Sequence, residues 1–137
     1  MKKAFVLTLR AVLLMFTGLG GPVSETKQSE YQSGDYRYVL LEDGTASITR
    51  YEGRESNLSI PGKLDGHIVT SIGENAFSPY YQHDSLTSVT IPDSVTSIGE
   101  NAFVNRSSLT CVMIPDSVKT IGKCAFAHCS SLTGVTI

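Results

Sequence analysis

Among 137 residues, the three cysteines and three histidines have the widest chemical reach. Cys124, His128 and Cys129 lie close together, so a thiolate–imidazole metal site is the first chemistry to weigh. Their spacing is only loosely ligand-like, and a structural zinc site needs a fourth donor. Core thiols are the expected reading, because unpaired cysteine commonly behaves as a small buried hydrophobe. A disulfide is the alternative, and an odd count would then leave at least one thiol unpaired. No metal-ligating residue is assigned. The sequence holds no G-x-S-x-G elbow, H-E-x-x-H helix, P-loop or G-x-G-x-x-G fingerprint. Glu74, Asp93, Glu100 and Asp116 recur at corresponding positions along the chain, as solvation and turn chemistry require. The chain is therefore not expected to be an enzyme, and no catalytic residue or cofactor is assigned.

The elements carrying these residues repeat. Leu86-Thr-Ser-Val-Thr-Ile-Pro-Asp-Ser-Val recurs 23 residues later from Leu109, and units 86–108 and 109–131 match at 14 of 23 positions. Residues 69–77 are identical to 95–103, and a further copy opens at Leu132. Leu58 and Ile60-Pro61 match Val89 and Ile91-Pro92, with insertions around 63–67 and after Phe77. Within a unit, Leu86, Val89 and Ile91 point inward while Ser88 and Thr90 alternate outward, as a strand requires. Pro92 removes a backbone donor and ends the strand. Val95 and Ile98 face inward next, Gly99 permits a sharp bend, and residues 100–103 suit one short helical turn. Stacked coils would bury Phe77, Phe103 and Phe126 as one column and Ile72, Ile98 and Ile121 as another. The expected architecture is mainly β with short helical turns: a right-handed, single-sheet solenoid of about 23-residue coils, comprising 57–85, 86–108, 109–131 and a partial 132–137.

Residues 35–56 precede the coils. Tyr36 to Leu41 and Ala46 to Arg50 read as a hairpin turning at Asp43-Gly44, and a hairpin here would cap the first coil. The units, of pattern L-T-x-V-x-I-P-x-S-V-x-x-I-G-x-x-A-F, resemble the BspA-type leucine-rich repeat family, also called leucine-rich repeat type 5. The resemblance covers 57–137, and the hairpin is similar to the family's lead-in segment. It implies a secreted or cell-surface microbial protein, with several relatives regarded as adhesins or extracellular-matrix binders. It also makes the position of Cys129 a family core cysteine, and Arg106 departs from that pattern.

Lys2, Lys3 and Arg10 precede an apolar run, 11–19, followed by Gly20 and Gly21, the order of a secretory signal peptide. The run is shorter than the roughly 20 residues that cross a bilayer. The expected organisation is a signal peptide at 1–21, a flexible linker at 22–34, the cap at 35–56 and the repeats. Secretion or cell-surface location follows, with no membrane insertion after cleavage. Without its first 20 residues the chain keeps 8 basic against 13 acidic groups, a formal −5. That balance argues against nucleic acid as a partner.

The outward strand positions would stack as Asn57, Ser88, Cys111 and Gly134, and as Ser59, Thr90, Met113 and Thr136. This neutral, hydroxyl-rich face is the candidate binding surface, for an extracellular protein or glycan. Tyr80 and Tyr81, in the second insertion, fit either an exposed aromatic contact patch or a cover over the first coil. His67 and His83 are expected as solvated loop residues. The last strand, 132–137, has no following coil in this sequence, so self-association through it is expected. Two function classes remain: a weak adhesive module working by multivalency, and the leading piece of a longer repeat surface protein with a structural role.

Overall fold

The computed structural model describes residues 28–79 and 84–137. The proposed signal peptide and residues 22–27 of the linker, as well as Tyr80, Tyr81 and His83, lie outside the described residues. Eleven strands are seen among the described residues: β1 (Glu30–Ser33), β2 (Tyr36–Leu40), β3 (Ala46–Tyr51), β4 (Asn57–Ser59), β5 (Lys63–Leu64), β6 (His67–Ile72), β7 (Ser88–Thr90), β8 (Ser97–Ile98), β9 (Cys111–Met113), β10 (Thr120–Ile121) and β11 (Gly134–Thr136). Strands β2 and β3 are the expected antiparallel hairpin, turning through Gly44 at φ 84°. Strand β1 corrects the reading of 22–34 as a linker throughout. Gly34 turns the chain at φ 58°, and the Tyr31 ring packs 5.4 Å from that of Tyr38.

Coils 86–108 and 109–131 each contribute one three-residue and one two-residue strand, and the first coil has β4, β5 and the six-residue β6. Like strands pair in parallel from coil to coil. Strands β4, β7, β9 and β11 form one sheet, with Leu58, Val89, Val112 and Val135 in register. The other sheet runs β1-β2-β3-β6-β8-β10, with β5 paired to β6. Two sheets therefore line the solenoid, not the single one expected. Ser97 and Ile98 alternate out and in as Ser88 and Val89 do, and both segments meet their counterparts one coil away.

The recurring glycines allow that close approach. Gly99 lacks a positive φ; its amide donates to the Ile72 carbonyl at 2.7 Å, and a β-carbon would lie 2.8 Å from the Glu74 amide nitrogen. Its purpose is contact between coils rather than a bend. The outer segments are also not helical. They are successive three-residue-span turns, Ala102 N to Gly99 O and Val104 N to Asn101 O, broken by Asn101 in the left-handed region at φ 56°. Asn75 and Cys124 hold the same conformation in the neighbouring coils, at φ 58° each. Asparagine tolerates this region because its short polar side chain bonds locally.

The core is the stack of inward residues. Phe77 and Phe103 are fully buried, with centroids 4.8 Å apart, and Phe126 continues the column 5.2 Å beyond. Tyr51 of the cap begins the column, 5.4 Å from Phe77. Ile48, Ile72 and Ile98 are buried in register, whereas Ile121 is 47% exposed in the last full coil. Threonine hydroxyls tie coil to coil: Thr87 donates to the Ser56 carbonyl at 3.0 Å, and Thr110 to that of Thr87 at 3.0 Å.

Candidate binding surface

Parallel register places the candidate face residues in two rows. Asn57, Ser88, Cys111 and Gly134 form one, and Ser59, Thr90, Met113 and Thr136 the other. Asn57, Ser59, Thr90 and Thr136 are exposed, Ser88 and Cys111 half-buried, and Met113 is 49% exposed. Asn57 Oδ1 accepts from the Ser88 hydroxyl at 2.8 Å and the Thr87 hydroxyl at 3.3 Å, which orients its amide. No charged side chain stands in either row. Strands of three residues are about 10 Å long and spaced about 4.8 Å, so four of them offer roughly 190 Å². A standard interface buries about 800 Å² per partner.

The cysteines occupy three different settings, and all three are free thiols. Cys124 is exposed, which corrects the core reading for that residue: its left-handed backbone turns it out of the coil. Cys129 is half-buried, and its thiol donates to the Phe103 carbonyl at 3.2 Å. Burial pushes that thiol up from its ordinary pKa, while Arg106 pulls the other way. No group of three or more Cys, His, Asp or Glu poised for a metal occurs among the described residues. His67 is half-buried rather than loose, with Nδ1 at 3.1 Å from the Gly44 carbonyl.

Arg106, the departure from the repeat pattern, is 1% exposed. Its Nε donates to the Phe77 carbonyl, and Nη1 lies 3.7 Å from Asp84 Oδ1. Asp84 also accepts from the Ser107 hydroxyl and from the Ser108 amide at 2.9 Å. Burial alone would raise the Asp84 pKa. The Ser107 and Ser108 hydrogen bonds and the Arg106 charge outweigh it and hold the carboxyl below its ordinary value. Burial pulls the Arg106 guanidinium down from its own, with Asp84 opposing. This pair anchors the end of the second insertion onto the following coil.

A cleft of about 410 Å³ opens where the cap meets β4, and the sequence reading missed it. Its walls include Asp35, Tyr36, Tyr51 and Glu55, and it reaches the candidate face at Asn57 and Ser59. Tyr36 pairs with Tyr51 across the hairpin, with ring centroids 5.0 Å apart. The Tyr51 ring lies over Gly53, where a β-carbon would strike the phenol oxygen at 2.2 Å, and that oxygen accepts from the Glu55 amide at 3.4 Å. Burial raises the Tyr36 pKa, and Tyr51, Asp35 and Glu55 push it further up. The available sequence signal was a pair of carboxylates flanking two tyrosines at the open end of one hairpin.

Solved structures supply the comparison. A leucine rich cell surface protein of Faecalibacterium prausnitzii A2-165 is 42% identical at a TM-score of 0.71, over 79% of this chain and 30% of that one. The leucine rich repeat protein of T. pallidum is 32% identical at 0.71, over 80% and 50%. A leucine-rich repeat protein of Bacteroides capillosus is 30% identical at 0.56, over 80% and 98%. The chain thus spans 30% and 50% of the length of the first two. No curated protein matches. The model of the BspA type leucine rich repeat region matches residues 55–137 in six copies. Those are the residues wound into coils, and the chain belongs to the BspA-type leucine-rich repeat family.

Proposed function

We propose that this protein is an exported, non-catalytic surface module that binds an extracellular protein or glycan weakly through the four-stranded face and gains strength from multivalency. The observation that carries the reading is the pair of in-register rows, Asn57-Ser88-Cys111 and Ser59-Thr90-Met113, which present uncharged side chains on one face. Such a surface makes few strong contacts singly, and many copies on one cell convert weak contacts into adhesion. The description of the F. prausnitzii relative as a cell surface protein supports the location. The test displays the chain on beads at low and high density over arrays of matrix proteins and glycans. Density-dependent binding, lost in Ser88→Arg/Thr90→Arg and kept in Thr96→Arg just before β8 of the other sheet, is the expected result. No retention at any density would overturn it.

A second reading is a stretch of a longer repeat array with a structural role. The apolar residues of the last coils favour it: Ile121, Val135 and Ile137 are 47%, 48% and 81% exposed. Adding one 23-residue unit after Ile137 should then raise the melting temperature, whereas no rise would count against this reading.

A further inference from the structure

We propose that the cleft between the cap and β4 is a subsite for a cationic side chain, the guanidinium of an arginine on an extracellular protein partner. The proposal rests on the reading of this chain as an interaction module and names a chemistry that the neutral sheet face lacks. Asp35 and Glu55 both line the cleft, and no lysine or arginine does among the described residues. Arg37 and Arg50 of the hairpin lie 2.8 Å and 3.5 Å from Glu52, which is not among the cleft's lining residues. The lining therefore carries two acidic residues and no basic one, a composition that favours a cation. Burial is the main cause of the raised Tyr36 pKa, followed by Tyr51, and Asp35 and Glu55 push it further in the same direction.

Two features favour a guanidinium over a bare ammonium. A guanidinium is planar, donates in a fork to carboxylates, and stacks on aromatic faces. The cleft lining brings together two acidic residues and two tyrosines, Tyr36 and Tyr51. The frame is also preorganised. The Asp35 carbonyl accepts from the Glu52 amide at 2.7 Å, and the Tyr51 hydroxyl holds the Glu55 amide. Both acids thus sit on backbone already tied to the hairpin, which lowers the ordering cost of binding.

The experiment titrates the full chain, labelled with ¹⁵N, with blocked Gly-Arg-Gly, and with Gly-citrulline-Gly, Gly-Lys-Gly and chitotriose as separate arms. Saturable shifts for the arginine peptide, confined to 34–36 and 51–59, are expected. They should weaken at higher salt. Citrulline should bind at least roughly tenfold more weakly, because it keeps the shape and loses the charge, and lysine should fall between them. Asp35→Asn/Glu55→Gln should abolish the arginine shifts while the amide spectrum stays dispersed. Equal binding of arginine and citrulline, absence of saturable arginine shifts, or a response to chitotriose alone would each overturn the proposal. The sheet reading is scored separately, at Cys111, Met113 and Thr136. A silent cleft with intact density-dependent adhesion sinks this inference alone, and the converse sinks only the sheet reading.

Discussion

Arg106 Nε donates to the carbonyl of Phe77, and one coil later Cys129 Sγ reaches the carbonyl of Phe103 at 3.2 Å. Two unlike side chains thus cap equivalent backbone oxygens on successive members of the aromatic column. The thiol is short and neutral. The guanidinium brings a charge into the coil, and Asp84 is drawn onto it.

Removing that guanidinium should be expensive. Arg106→Ala leaves the Phe77 carbonyl without its donor and Asp84 without its cation, and breaking a buried pair from one side costs about 3–5 kcal/mol. Arg106→Cys combined with Asp84→Asn, which installs the Cys129 arrangement without a stranded charge, should recover much of that loss. Urea melts of the two variants check this; equal destabilisation would count against it.

Acid should loosen the same joint. The folded Asp84 carboxyl titrates below its ordinary value, so its contribution is complete above about pH 4, the unfolded range. As pH falls below that range the unfolded chain takes up its proton first, and the contribution is lost as pH passes through the folded value. Melting midpoints followed from pH 7 to pH 3 should fall less steeply in Asp84→Asn than in the parent. Parallel curves would contradict the assignment.

The aromatic column predicts a graded series. Phe103→Ala, with rings at 4.8 and 5.2 Å on its two sides, should lose about 3–5 kcal/mol. Phe126→Ala, at the half-buried end, should lose only about 1 kcal/mol, since less apolar area leaves water there. Denaturant melts decide, and a cost below about 1 kcal/mol at Phe103 would remove the column from the core.

Cys124 stands at φ 58°, where the two preceding coils carry asparagine. Cys124→Asn should stabilise by about 0.5–1 kcal/mol, because the left-handed conformation penalises most side chains by about 1–2 kcal/mol and asparagine less. Cys124→Val should destabilise, as a β-branched residue is least tolerant there. Thermal shifts of opposite sign are the expected signature.

The 137-residue chain should also self-associate. Ile121, Val135 and Ile137 are exposed apolar residues of the last coils, and β11 pairs on one side with β9. Light scattering should show species that grow with concentration and shrink in Val135→Lys/Ile137→Lys. All three cysteines are free thiols, so a reducing agent removes any disulfide between molecules and leaves this route. A concentration-independent monomer would contradict the prediction.

The sequence alone determined the coil period, the inward positions and the membership of Phe77, Phe103 and Phe126 in one column. Those features follow from side-chain alternation within a coil, a local property that repetition makes unmistakable. The hairpin at Asp43-Gly44 was legible for the same reason, since its turn chemistry is carried by adjacent residues. Tertiary structure decided the rest. The second sheet depends on how closely Gly99 lets one coil approach another, and the exposure of Cys124 depends on a left-handed backbone. Arg106 on Phe77 joins residues 29 apart, and the cleft brings Asp35 and Tyr36 to Glu55 from the far end of the hairpin sequence. Their geometry is set by inter-coil and cap-to-coil distances, which are products of packing the whole stack and are written in no single repeat.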